Sequence, residues 1–113
     1  GKFWGETSTL FNKNNVEIHR LQGVTGGYSS QHMHHAKYNM FFVESGVINI
    51  ITWKDPSGRP DETLLKADES CTVSPGLFHK FEVIQDCSVY EIYWVELRED
   101  DIDRKDSGGI KLL

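Results

Sequence analysis

Three of the five histidines in this chain fall within four residues, as His32, His34 and His35. His32 and His34 are two apart, so on an extended segment their imidazoles project to the same side. Two imidazoles aimed at a common point make the beginning of a metal site, each ligand reaching about 2.0–2.2 Å to an ion. His35 points the other way and falls outside that shell. A solvated polar turn ahead of a strand is the plainer reading of the same three residues. The wider spacing around them runs Gly26, five residues, His32-Met33-His34, four residues, Asn39, six residues, Gly46. A second block follows, Cys71-Thr72-Val73-Ser74-Pro75-Gly76-Leu77-Phe78-His79-Lys80-Phe81.

Such residues need short, rigid elements to hold them, and the rest of the chain reads that way. β-Branched and aromatic runs predict strands at Val16–Leu21, Tyr38–Val43, Val47–Trp53, Cys71–Ser74, Lys80–Ile84 and Ser88–Leu97. Turn signals separate them at Gly26-Gly27, Ser45-Gly46, Asp55-Pro56-Ser57-Gly58, Pro75-Gly76 and Gln85-Asp86. Pro56, Gly58, Arg59 and Pro60 make Lys54–Glu62 a loop, and residues 47–67 suit one hairpin around it. No long window sustains a helical apolar period, so few or no helices and an all-β sandwich or barrel are expected.

The strand Asn39–Val43 is apolar on both faces. Asn39, Phe41 and Val43 lie on one side and Met40, Phe42 and Glu44 on the other. A half-exposed strand alternates more cleanly, so a second sheet or a second subunit covers the outer side, and a homodimer is expected.

With 113 residues, 38% hydrophobic and 26% charged, the chain is long enough for one core and one domain, 1–113. A net charge of −5 without a basic stripe argues against nucleic acid. No apolar run reaches the ~18 residues of a membrane span and no signal core opens the sequence. Two cysteines, Cys71 and Cys87, are too few for a disulfide scaffold, which predicts a reduced, cytoplasmic protein.

The two histidine blocks resemble the motifs of the cupin family, G-x5-H-x-H-x(3,4)-E-x6-G and a second ending in P-x-G-x2-H. Gly26, His32, His34 and Gly46 fall on the first (about 26–46). Pro75, Gly76 and His79 fall on the second (about 68–83), the proline offset by one. The resemblance implies a double-stranded β-helix, or jelly-roll, barrel and a divalent transition metal (Zn, Fe, Ni, Mn or Co) held by His32, His34, Asn39 and His79. Asn39 stands where most cupins carry a glutamate, which leaves the ligand set neutral. Asp68 stands where glycine is usual; aspartate tolerates the positive φ that a glycine there would serve.

The ends of the chain narrow the likeness. Trp4-Gly5 near the start and Glu99-Asp100-Asp101-Ile102-Asp103-Arg104 near the finish look like the C-terminal cupin domain of type II mannose-6-phosphate isomerases. The central motif of those domains, Q-x-H-x-x-R/K-x-E before V-x-S-G, falls on His32, His34, Lys37, Asn39 and Val43-Glu44-Ser45-Gly46. The acidic segment 98–109 is then an ordered closing segment rather than a solvated charge run, with Ile102 as its pin. The usual Gln and Glu become His32 and Asn39, and the fused nucleotidyltransferase of that family has no counterpart here.

The resemblance implies an aldose–ketose isomerase acting on a sugar or sugar phosphate. A metal would acidify a C–H bond, and a general base would move the proton. Glu91 is the first candidate for that base and Glu82 the second, while Lys37, on the family's basic position, would hold a phosphate or hydroxyl. Tyr38, Phe41, Phe81 and Trp94 are candidate pocket walls. Two other classes fit the same residues: a non-catalytic sugar or small-molecule binder, favoured by Asn39, and an Fe-dependent dioxygenase, favoured by a histidine-rich shell.

Overall fold

Six strands carry the chain in the computed structural model, which describes residues 3–55, 57–95, 101 and 103–112. They are β1 (Gly5–Lys13), β2 (Val16–Gly23), β3 (Tyr38–Trp53), β4 (Asp61–Leu65), β5 (Ser70–Val73) and β6 (Phe78–Trp94). All pairing is antiparallel. No helix occurs among the described residues, so none there is long and apolar enough to cross a membrane.

β3 and β6 are the frame. They pair along nearly their whole length, from Tyr38 opposite Trp94 to Trp53 opposite Phe78, with register shifts between Val43 and Ile48. Ser45-Gly46 and Gln85-Asp86, expected as turns between separate strands, are instead bends inside two continuous ones. Gly46 carries the bend in β3 at φ 82°, where an added Cβ would lie 2.1 Å from the Asp86 carbonyl oxygen. Only glycine fits that left-handed, backbone-crowded position.

Each half of the β3–β6 pair anchors one layer. Beyond the bend, residues 87–94 of β6 pair with β2, which pairs with β1, and residues 39–42 of β3 pair with β5. On the other side, Ile48–Thr52 pairs with β4, closing the hairpin expected within 47–67. Asp61 and Glu62 begin β4 rather than ending the loop. The far edge of this second layer is the irregular run 26–32, bonded to β6 through Gly26 N–H to Val83 O, Ser29 N–H to Phe81 O and the reciprocal His32–His79 pair.

Between the layers lies an apolar core in which Leu21, Val43, Ile48 and Val89 are fully buried, with Phe41, Ile50, Phe81 and Val83 beside them. The connection to motif 2 turns at Asp68, whose φ of 68° is the left-handed value expected where the family has glycine. Gly76 turns the next connection at φ 87°. β1 is paired on one edge only and its side chains are exposed apart from Gly5 at its start. In the closing segment, Ile102 lies outside the described residues, and Asp101 and 103–109 are exposed. Cys71 and Cys87 are both free.

Candidate metal centre

The site forms where the irregular edge meets β6. His32 and His79 exchange backbone hydrogen bonds, His32 N–H to His79 O at 3.0 Å and His79 N–H to His32 O at 2.8 Å, which sets their rings on one face. Their centroids are 4.6 Å apart. His34, two residues on, returns to the same side, 5.1 Å from His32 and 5.3 Å from His79, and its carbonyl is tied to the Gly76 N–H at 2.8 Å. One ligand nitrogen from each ring lies within 4.8 Å of the other two. His35 is exposed and outside the cluster.

The rings are prepared as ligands. His79 Nδ1 is 3.1 Å from the Leu77 carbonyl and His32 Nδ1 is 3.0 Å from the Ser30 carbonyl. Donation of Nδ1–H to those oxygens leaves each Nε2 with its lone pair free, the orientation seen in metal-binding histidines. Nε2 of His34 and of His79 is buried without any hydrogen-bond partner. Burial holds both imidazoles below their ordinary pKa; His34 falls to about 4, with Lys37 and the two other rings adding to the effect. Neutral imidazole is the form that binds metal.

Asn39 is 1% exposed on β3, and neither atom of its amide has a hydrogen-bond partner. A buried, unpaired amide costs on the order of 1–3 kcal/mol. The unpartnered atoms are Nε2 of His34 and of His79 and both atoms of the Asn39 amide, and with His32 completing the cluster three imidazole nitrogens and an amide oxygen suit a borderline divalent ion.

The cavity lined by His32, Asn39 and His79 measures about 900 Å³. Its walls include Phe41 and Phe81 from the core, Trp4 edge-on to Phe81 at 5.1 Å, and Tyr28 at the rim. Of the aromatic residues expected to line it, Tyr38 and Trp94 do not; they stack on each other at the strand ends, 5.4 Å apart.

Glu91 also lines the cavity, 8% exposed and directly opposite Phe41 on β3. It accepts a short hydrogen bond from the Tyr93 hydroxyl. Burial and the neighbouring Glu91 carboxylate push the Tyr93 phenol far above its usual range; Asn39 pulls the other way without completing a hydrogen bond. Lys37 sits outside the cavity wall with its ammonium 4.5 Å above the Tyr93 ring. Glu82 lies away from the site, 3.6 Å from Lys80. His19 lies beyond Tyr93, edge-on at 5.6 Å, and its Nε2 is 3.2 Å from Glu17.

Sequence reasoning did not single out Tyr93 or Ser29. Tyr93 stands two residues from Glu91, so it shares the inward face of β6, and that spacing was its signal. Ser29 Oγ accepts the Phe81 N–H at 3.0 Å and pins the edge beside the histidines; nothing in its neighbours marks it.

No protein-family model matches the chain, and no curated protein matches it in sequence. Solved structures do match in shape. KdgF from Halomonas sp. superposes with a TM-score of 0.73 at 11% identity, over 89% of this chain and 88% of that one. The cupin domain of Schizosaccharomyces pombe Cnp3 gives 0.70 at 13% identity, over 80% of this chain and 64% of its own. A cupin-2 domain containing protein from Shewanella frigidimarina gives 0.64 at 18% identity, over 85% and 83%. At such identities the likeness speaks for the fold alone: the backbone follows the path of the cupin fold.

Proposed function

We propose that the protein is a metal-dependent aldose–ketose isomerase acting on a sugar or sugar phosphate. The observation that carries this reading is the carboxylate of Glu91, with its Tyr93 partner, in the cavity lined by His32 and His79 of the three-histidine cluster. His32, His34 and His79 would hold a divalent ion, which would supply Lewis acidity to a carbonyl and its neighbouring hydroxyl. Glu91 takes the proton from the carbon bearing that hydroxyl and returns it to the adjacent carbonyl carbon, passing through an enediol. The hydroxyl proton crosses from one oxygen to the other, so no atom is gained or lost. Tyr93 stays protonated and holds the Glu91 carboxylate toward the substrate. Asn39 offers Nδ2–H to a substrate oxygen or Oδ1 as a fourth, neutral ligand. Lys37, at the outer side of Tyr93, attracts an anionic substituent to the mouth.

A non-catalytic sugar-binding protein is the second reading. It is favoured by the neutrality of the ligand set, since no carboxylate joins the histidines.

Elemental analysis of the purified protein and of His34→Ala, followed by NMR assay of mannose 6-phosphate and a panel of hexose and pentose phosphates, tests both. About one transition metal per chain, lost in the variant, together with turnover, supports the isomerase. Metal and saturable sugar binding without turnover support the binding protein. No metal in the wild type after reconstitution would sink the isomerase and leave the binding protein.

A further inference from the structure

The cavity changes character along its length. Inward side chains of β3 and β6 succeed one another in rows about 6.8 Å apart. Asn39 faces Tyr93 in the first row, Phe41 faces Glu91 in the second and Val43 faces Val89 in the third. The first half of β6 keeps the same order, with His79, Phe81 and Val83 all buried. Polar atoms therefore collect at the histidine end. One row on, Phe41 and Phe81 meet edge to face with centroids 6.4 Å apart, and Trp4 continues the wall from Phe81.

The wall at this second row is fixed in place. Trp4 is 9% exposed and its carbonyl accepts the Val24 N–H at 2.9 Å. Gly27 packs so close that a Cβ there would stand 2.7 Å from the Trp4 Cα. Among the described residues that line the cavity, none is a lysine or an arginine, and Glu91 is the one carboxylate. A phosphate in this row would be buried beside a like charge without a cation, which is costly. Lys37 stands outside the wall, above the Tyr93 ring, so an anion that it attracts stays at the mouth. A neutral ring or alkyl chain meets three aromatic side chains there and leaves water behind. At about 900 Å³ the cavity lies near the top of the range, roughly 300–1,000 Å³, of sites that enclose a whole organic ligand.

We propose that Phe41, Phe81 and Trp4 form a subsite for an apolar, ring-sized substituent. The substrate class is then an uncharged α-hydroxycarbonyl compound with an aryl or alkyl group one row away from its reacting carbons. The head of that molecule rests on the isomerase reading, while the apolar end rests on the cavity alone. In the head a proton leaves one carbon and returns to its neighbour, so substrate and product are isomers.

Isothermal titration calorimetry tests this with ketones that share one α-hydroxyketone head and end in hydroxyl, phosphate or phenyl. They are dihydroxyacetone, dihydroxyacetone phosphate and 1-hydroxy-3-phenylpropan-2-one. Each is titrated into the full chain, both metal-stripped and zinc-loaded. The phenyl compound is expected to bind at least roughly tenfold more tightly than dihydroxyacetone in both forms. In the stripped form it is expected to bind more tightly than the phosphate as well. Trp4→Leu is expected to cut the phenyl preference at least about threefold. Phe41→Leu is the second variant should the first fail to fold, with circular dichroism reporting folding. Equal affinity for the phenyl and hydroxyl compounds would overturn the inference. So would tighter binding of the phosphate by the stripped protein, or a preference unchanged in both folded variants. NMR assay of the same compounds reads isomerisation separately, the phenyl compound giving 2-hydroxy-3-phenylpropanal. A phenyl preference without any turnover upholds the subsite and counts against the isomerase. Turnover of the phosphate without a phenyl preference overturns the subsite and upholds the isomerase.

Discussion

Tyr93 donates its phenolic hydrogen to the Glu91 carboxylate, two residues earlier on the same inward face of β6. The pair ties a candidate base to a side chain that itself packs between His34 and His19, 5.6 Å from each ring centroid. A carboxylate fixed in this way has a direction as well as a charge.

Replacing Glu91 by Gln keeps the shape and removes the proton acceptor. Isomerisation is expected to fall by about 10²–10⁴-fold with metal content unchanged. Tyr93→Phe is expected to lower kcat less, with little effect on KM, because it frees the carboxylate without removing it. Steady-state kinetics with parallel elemental analysis separate these results from loss of the metal.

Asn39→Glu places a carboxylate among the three imidazoles. Without metal it buries an unpaired charge, so the metal-free variant is expected to be less stable than metal-free wild type by about 1–3 kcal/mol or more. With metal the order reverses, since the added charge meets a cation. Thermal melts of both proteins, stripped and reloaded, read the crossing directly.

Two glycines with nearly the same φ are expected to respond differently. Gly76 has φ 87° and open space where a Cβ would go, so Gly76→Ala costs only backbone strain of roughly 1–2 kcal/mol. At Gly46 the same methyl meets the Asp86 carbonyl at 2.1 Å, and the two long strands cannot bend without moving. Gly46→Ala is expected to destabilise severely or prevent folding, measured by urea denaturation.

Acid stability follows three carboxylates. Hydrogen bonds from Thr25 hold Asp86 below its usual value, those from Ser57 do so for Asp55, and Tyr90 foremost for Glu44. A carboxylate whose pKa is lower folded than unfolded contributes stability above the unfolded value, and loses it as pH falls through the folded one. Stability is therefore expected to hold above about pH 4.5 and decline below it. Asp86→Asn should flatten the decline, because Thr25 N–H and Oγ, both 2.8 Å from Asp86 Oδ1, lose that partner's charge. Denaturant midpoints across the acid range check both statements.

Cys71 is the thiol to probe. Burial raises it to about 11, so at pH 8 roughly one thiol in a thousand is thiolate. Alkylation of the folded protein is expected to lag far behind that of the unfolded chain, followed by mass spectrometry.

What could be read from the sequence depended on how local each signal was. His32 and His34 announce themselves by a two-residue spacing, and the 47–67 hairpin by the prolines and glycine of its loop. β1 could not be read that way: Gly5–Lys13 is exposed almost throughout, so it shows no alternation, and it is a strand because β2 offers it a free edge. Gly46 and Asp86 look like turn residues because they are residues that tolerate bending. Only long-range pairing decides that the strands run on through them. Glu91 and Lys37 were both named from the chain alone, yet the fold puts the first in the cavity and the second outside its wall.

The continuity of β3 and β6 bears on how the molecule opens. Because both strands run through both layers, neither layer can melt while the other survives, and their amides should exchange with solvent only in one global event. The run 24–37 is tied to β6 by a few backbone bonds and has no strand on its outer side among the described residues. It is the part that can detach while the barrel persists. His32 and His34 ride on it, while His79 stays with the frame. Loading and release of an ion at this cluster would therefore be a matter of local breathing at one edge, on a timescale set apart from that of unfolding.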